Sequence, residues 1–256
     1  MKIGFIGAGK MAGAIIKGLK SSDFELMLSE RDAETSQAVA AELGIAAATS
    51  HQDLIDQADL VVLGIKPQFL ESALAGLDMT KPVLSMAAGV TLERLAALTS
   101  SDIPLIRIMP NLNAQILKST TAICFNSLVS DDMKIVAKRI TDSFGSTFEI
   151  AEKDFNTFTA LAGSSPAYIA LFIEALAKSG VKYGFAKDLA LDIVNQTVLA
   201  TAENLLTGSD SPHTFIDKVS SPGGTTVAGV LDLEKTGLTA SVVSSIDVTI
   251  DKANNL

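Results

Sequence analysis

Two glycine-rich turns stand near opposite ends of this 256-residue chain, and each carries residue types able to hold an anion. The first, Gly7-Ala8-Gly9-Lys10-Met11-Ala12, has the form G-x-G-x-x-A. Its first glycine permits a tight turn, its second lets a pyrophosphate approach the backbone, and Ala12 keeps a following helix close to its strand. The helix start then offers unpaired N–H groups and a partial positive charge. The motif follows an apolar strand segment and opens a β-α-β series, the context that distinguishes a dinucleotide turn from a merely glycine-tolerant one. The second turn lies in "VSSPGGTTVAGVLDLE", Val219 to Glu234. Its glycines precede a predicted helix start near Thr225. Backbone N–H groups there can converge on a carboxylate, with Ser221, Thr225 and Thr226 adding hydroxyls. A helix cap by Thr225 or Thr226 uses the same geometry. Spacing alone leaves these two readings even.

The end of the second strand decides the ribose chemistry. About twenty residues past the first turn lies "SERD", Ser29 to Asp32. A carboxylate there binds the free ribose hydroxyls of NAD, whereas an arginine or serine favours the 2′-phosphate of NADP. Glu30 gives the first signal; Ser29 and Arg31 give the second. Both NADH and NADPH remain open. Three loops at the carboxyl ends of later strands suit a nicotinamide: Gly64-Ile65-Lys66-Pro67, Met86-Ala87-Ala88-Gly89, and Met109-Pro110-Asn111. Ordinary turn chemistry explains each equally well, with Pro67 starting a helix.

Oxidising or forming an alcohol needs an acid or base. The chain has two histidines, His51 and His213, both near predicted helix starts, where capping or surface roles are expected. No metal site is expected, because His and Cys are few and scattered. A substrate that arrives as a protonated C=N bond removes the need for an acid. The protein then has only to hold its anionic group, satisfy its N–H and align its carbon.

The elements that would position these groups change character midway. Hydrophobic residues make up 48% and charged residues 19%, so a substantial core is expected. The net charge of −9 argues against a broad nucleic-acid face. The single cysteine, Cys124, fits a reducing cytoplasm. The N-terminus reads as strand–turn–helix rather than as a cleaved leader, and no run is expected to span a bilayer. Apolar strand segments at Lys2–Ile6, Glu25–Ser29, Leu60–Ile65, Pro82–Ala87, Leu105–Met109, Thr121–Phe125 and Thr147–Ile150 alternate with helical patterns over 11–19, 33–43, 91–98 and 131–144. That alternation predicts an α/β, Rossmann-like, doubly wound and mostly parallel sheet over 1–150. Residues 151–256 read as all-helical, with segments over 166–179, 187–206, 212–219, 225–235 and 238–254. "SPAYIALFIEAL", Ser165 to Leu176, is apolar nearly all round and needs an extra covering surface, which a homodimer would supply.

These motifs together resemble the Δ1-pyrroline-5-carboxylate reductase family. The resemblance runs through "GFIGAGKMAGAIIKGL", "IKPQ", "SMAAGVTLERL", "RIMPN", "AGSSPAY" and above all "VSSPGGTTVAGVLDLE". It implies an oxidoreductase acting on a CH–NH group, reducing 1-pyrroline-5-carboxylate to L-proline with NADPH or NADH. It also implies an all-α dimerisation domain interlocked with a partner, and larger assemblies of dimers. Carried over, Ile6, Gly7, Ala8, Gly9, Lys10 and Met11 would line the dinucleotide phosphates. Ser29, Glu30, Arg31 and His51 would surround the adenosine part. Gly64, Ile65, Lys66, Pro67, Met86, Ala87 and Ala88 would approach the nicotinamide. Lys218, Val219, Ser221, Gly224, Thr225 and Thr226 would hold the substrate, with Thr226 partnering the ring nitrogen and the loop coming from the neighbouring subunit. Three positions depart from the family pattern: Ser165 and Ala200 where glycine is usual, and Lys218, which would add attraction for the carboxylate. A 3-hydroxyacid-type dehydrogenase is the rival enzyme, but its helix lysine has no counterpart before Lys178. A dinucleotide-sensing or competence-related paralogue is the non-enzymatic rival, and it would have no need of "SSPGGTT".

Overall fold

The computed structural model describes residues 1–255. In chain order the first elements are β1 (Lys2–Ile6), α1 (Lys10–Leu19), β2 (Glu25–Ser29), α2 (Ala33–Leu43), β3 (Ala46–Ala47), α3 (His51–Gln57), β4 (Leu60–Leu63) and α4 (Pro67–Leu74). Then come β5 (Val83–Ser85), α5 (Leu92–Leu98), β6 (Leu105–Met109), β7 (Ser119–Phe125), α6 (Asp131–Asp142) and β8 (Gly145–Glu149). The eight strands form one sheet in the order β3-β2-β1-β4-β5-β6-β7-β8. All neighbours are parallel except β6 and β7, which pair antiparallel. The order reverses between β1 and β4, and ligands of doubly wound sheets bind at the carboxyl ends of strands at such a point.

Strand β4 explains the arrangement in miniature. Leu60, Val61, Val62 and Leu63 are all buried, as expected of a central strand covered on both faces. Leu60 and Val62 join Ile3, Phe5 and the inner face of α1 in one core. Val61 and Leu63 join Ile6, Leu54, Leu70 and Leu95 in a second core on the other face. Helix α1 turns Ala12, Ile15, Ile16 and Leu19 inward, the three- and four-residue spacing of one helix face. Helix α2 ends on Gly44 in the left-handed region, as the sequence predicts. One strand escapes sequence reading: the two-residue β3 has no periodicity to detect. Helices α3 and α4 are under three turns long, and only their starts, at His51 and Pro67, are legible in the sequence.

Beyond β8, α7 (Phe155–Phe158) leads through a π-helical turn, Thr159–Ser164, into α8 (Ser165–Lys182). Helices α9 (Lys187–Thr207), α10 (Pro212–Val219), α11 (Thr225–Lys235) and α12 (Leu238–Asn254) follow. The chain divides into two compact units, Met1–Gly163 with the last residues from Ala253, and Ser164–Lys252. The division falls later than the change in composition, because the turn after β8 belongs to the first unit. There Arg107 on β6 pairs with Glu152 at 2.8 Å. The same carboxylate oxygen accepts from the Leu92 N–H at 2.7 Å, and the Arg107 guanidinium lies 4.3 Å from the centre of the Phe155 ring.

One expectation is corrected. The helical stretch Glu152–Lys182 is long and apolar enough, by length and composition, to cross a membrane. "GSSP" hides this in the sequence, because it looks like a break, yet the backbone absorbs it in the π-helical turn. The apolar residues of α8 are mostly uncovered within the chain: Leu171 is 70% exposed, and only Ala177 of that helix is buried.

Candidate active site

The first glycine turn connects β1 to α1. Gly7 has φ +83, a left-handed conformation that favours glycine. Its N–H donates to the Ser29 carbonyl at 3.0 Å, fastening the turn to β2. Gly64, just past β4, donates its N–H to the Ile6 carbonyl at 2.9 Å. A Cβ at Gly64 would lie 2.2 Å from the Gly7 carbonyl oxygen and 2.9 Å from the Ala12 Cβ. Gly64 and Ala12 are therefore the small residues that let turn and helix sit on the sheet. Gly9 is the N-cap of α1, with no side-chain cap and no acidic residue in the first turn formed by Lys10, Met11 and Ala12. A Cβ at Gly9 would meet nothing within 4 Å. An open approach thus leads to a helix start whose N–H groups lack side-chain acceptors.

An anionic oxygen already stands at this turn. Glu30 Oε1 accepts from the Ala8 N–H at 2.7 Å, so the turn suits phosphate oxygens in geometry and sign. The Glu30 N–H donates to Ser36 Oγ at 2.8 Å, which fixes the backbone beyond β2. Ser29 is fully buried, and its Oγ shares a 2.6 Å hydrogen bond with His51 Nδ1. His51 opens α3, but Ser50 caps that helix by accepting from the Asp53 N–H. Likewise Ser211, not His213, caps α10. Burial lowers the His51 pKa below its usual 6.5, with the Glu30 charge opposing.

Gly7, Glu30, Arg31, His51 and Ile65 line one cavity of about 590 Å³. Phe69, Ser72 and Ala73 of α4 complete it. Their three- and four-residue spacing after Pro67 marks one face of α4, a signal legible in the sequence once Pro67 is read as a helix start. Lys66 is the N-cap of α4 and Pro67 its first residue. Met86, Ala87 and Ala88 do not line that cavity. Ala87 packs into the second core, Met86 against the first, and Ala88 is exposed. Asn111 serves the fold: buried, it donates from Nδ2 to the Ala162 carbonyl at 2.9 Å and accepts from the Asn113 N–H. Cys124 is no nucleophile, since burial foremost, with the Glu152 charge, pushes its thiol up to about 12.

The second turn joins α10 to α11. Gly223 has φ +69. The Gly224 N–H donates to the Ser221 carbonyl at 2.9 Å, and a Cβ at Gly224 would lie 2.4 Å from Ser221 Oγ. A side chain at Gly224 would require the Ser221 hydroxyl to turn away. Gly224, not a threonine, is the N-cap of α11, with no side-chain cap and no acidic residue in the first turn. The threonine-cap reading therefore fails: Thr225 and Thr226 are the first two helical residues. Val219 ends α10 half-exposed. Ser220, which sequence reading passed over, has an enclosed Oγ with no hydrogen-bond partner. The Lys218 ammonium, from which extra attraction is expected, contacts both Asp210 oxygens at 2.8 and 2.6 Å.

Known proteins match both halves. Residues 152–256 match the family model described as pyrroline-5-carboxylate reductase dimerisation, and residues 2–89 match one described as NADP oxidoreductase, coenzyme F420-dependent. The pyrroline-5-carboxylate reductase of Aquifex aeolicus is 35% identical, over 100% of this chain and 97% of its own length. That of Escherichia coli is 34% identical over 100% and 98%. The crystal structure of 1-pyrroline-5-carboxylate reductase from Streptococcus pyogenes is 62% identical with a TM-score of 0.92, covering 100% of this chain and 99% of that one. The Plasmodium falciparum enzyme, solved with NADP bound, is 26% identical with a TM-score of 0.86 over 99% and 97%. With one anion-suited glycine turn on a doubly wound sheet, a second within the helical unit, and relatives at 34–35% identity over its whole length, this chain belongs to the pyrroline-5-carboxylate reductase family.

Proposed function

We propose that the chain reduces 1-pyrroline-5-carboxylate to L-proline, with NADH or NADPH as the hydride donor. The observation that carries this reading is the second turn. It presents an uncapped, acid-free helix start beside Ser221, Thr225 and Thr226, in a chain related over its full length to reductases of that name.

When bound, the reduced nicotinamide supplies the hydride that the C=N carbon of a protonated imine accepts. The imine brings its own proton, so no histidine or buried acid has to deliver one. The first-turn N–H groups of α1 hold the phosphates, with Ile6 to Met11 lining them and the Ala8 N–H left to Glu30, while Glu30, Arg31 and His51, backed by the buried Ser29, form the adenosine end. Gly64 to Pro67 and Met86 to Ala88 offer backbone near the ring. The α11 start holds the substrate carboxylate, and the Thr226 hydroxyl accepts from the ring N–H. This division of labour follows the change in composition, with a dinucleotide-binding part over 1–150 and a helical, dimerising part over 151–256; the compact units themselves divide at Gly163.

The chain acts as a homodimer, supported by the dimerisation match and by the uncovered apolar face of α8. We read the helical unit as interlocked with its partner's, so that the second turn of one subunit serves the first turn of the other, and dimers as able to assemble further. The single buried Cys124 favours a reducing cytoplasm. The net charge of −9 speaks against nucleic-acid partners, and the apolar stretch Glu152–Lys182 is assigned to the partner subunit rather than to lipid.

The test is oxidation of NADH and NADPH in the presence of pyrroline-5-carboxylate. Thr226→Ala should lower turnover by roughly 10- to 100-fold, the loss of one hydrogen bond to a charged group, while leaving dinucleotide affinity unchanged. No oxidation of either cofactor by the wild type would end this reading.

A further inference from the structure

We infer that the chain selects NADH over NADPH, and that the carboxylate of Glu30 makes the selection. The inference rests on the reading above that the chain binds a nicotinamide dinucleotide. It goes beyond that reading by choosing between two cofactors that differ by one phosphate.

The sequence leaves two signals in conflict after β2, and the structure separates them. Ser29 cannot meet a 2′-phosphate: it is 0% exposed, and its hydroxyl is bound to His51 Nδ1. The Arg31 side chain is 89% exposed, and its nearest acid is the neighbouring Asp32 at 3.5 Å. Among the residues lining the cavity, Arg31 is the sole cationic side chain, and it stands at the rim. Burial keeps His51 uncharged near neutral pH, so it offers a phosphate no positive charge either.

Glu30 is held in the opposite sense. Its backbone is fixed by Ser36 Oγ, which itself donates to the Asp32 carbonyl at 2.8 Å. Its carboxylate is anchored on the Ala8 N–H. A carboxylate has about four lone-pair sites, and this anchor uses one. The remainder can accept from the two hydroxyls of a ribose diol. A 2′-phosphate offers acceptors in place of one donor and brings negative charge against negative charge in a partly enclosed cavity, where such repulsion is poorly screened. The side chain that recognises a diol is the side chain that repels its phosphate ester.

Binding of NADH and NADPH to the full-length oligomer is measured by titration calorimetry without substrate, so the readout does not depend on turnover. The wild type should bind NADH about tenfold or more tightly than NADPH. Glu30→Ser should weaken NADH and strengthen NADPH, bringing the ratio to about one or below. Glu30→Gln keeps an acceptor for the Ala8 N–H and removes the charge. It guards against a folding defect in the serine variant and should restore most NADPH binding. Arg31→Ala removes a lining side chain of the adenosine end and should change both affinities alike, leaving their ratio unmoved. Equal or tighter NADPH binding by the wild type would overturn the inference, as would a ratio unmoved by both Glu30 variants. A loss confined to NADPH in Arg31→Ala would overturn it too, by showing that Arg31 reaches the phosphate. Failure to bind either dinucleotide would remove the cofactor reading itself and this inference with it.

Discussion

The two units of this chain solve the burial problem in opposite ways. In the first, strands β1, β4, β5 and β6 are buried on both faces, and Phe5, Ile15, Leu60 and Leu63 are fully enclosed. Each such side chain is worth about 1.5–3 kcal/mol on leaving water, so this unit carries its own core. In the second, Ala177 and Ala190 are the only buried hydrophobic residues among those described, and α10, α11 and α12 bury none. Ile169, Leu171, Phe172, Leu189, Val242 and Val243 are instead exposed. A helical unit this apolar and this uncovered lacks a covering surface within the chain, and the dimerisation match over residues 152–256 fits a surface supplied by self-association. One unit buries a core within its own chain; the other leaves its apolar residues uncovered there.

The sharpest way to break this comparison is a charge in the second unit. Leu171→Glu should weaken the dimer by about a hundredfold or more, on the order of 3 kcal/mol for a charge buried without a partner. Dinucleotide binding by the first unit should persist. Sedimentation velocity checks the first outcome and calorimetry the second; an undisturbed dimer would show that α8 faces solvent.

Inside the first unit, two glycines separate architecture from binding. Gly64→Ala should destabilise by about 1–3 kcal/mol, the cost of overpacking, because its Cβ has no room against the Gly7 carbonyl. Urea unfolding would detect it, and an unchanged midpoint would refute the close approach. Gly9→Ala should leave that midpoint alone, since the space beside it is open. It should still weaken dinucleotide binding by about tenfold, or 1.4 kcal/mol, by standing where the phosphates come in.

The smallest effect concerns pH. His51 has its pKa lowered by burial, so the unfolded chain takes up a proton near 6.5 before the folded chain does. Stability linked to His51 is therefore intact above about pH 6.5 and declines as pH falls toward the folded value. His51→Gln should give a shallower stability–pH slope in that window. An identical slope would show that the Ser29–His51 contact does not keep the imidazole neutral.

Much of the fold is legible in the residues themselves. The runs at 2–6, 25–29, 60–63 and 105–109 read as strands because they are short, largely apolar and bounded by turn residues. Gly44 stops α2, and Pro212 and Thr225 begin α10 and α11, through local backbone preference alone. What escaped was either too short to show a period, like β3, or disguised, like the π-helical turn that turns "GSSP" from a break into a continuation. Resemblance to a family supplied the site assignments that spacing alone left open. It could not say that Asn111 braces the fold or that Lys218 is held by Asp210.

By itself, then, the sequence determined the element types, the α/β unit followed by a helical one, and the two turns suited to anions. These follow from side-chain volume, polarity and backbone freedom, which act over a few residues. Only the tertiary structure decided that Ser29 is sealed, that Arg31 faces water and that Glu30 lies on the Ala8 amide. Those outcomes depend on which distant segments share a space: α3 brings His51 to Ser29, and the pairing of β1 with β2 brings Glu30 to the glycine turn. Such proximity is set by the packing of the whole sheet, and no local pattern encodes it.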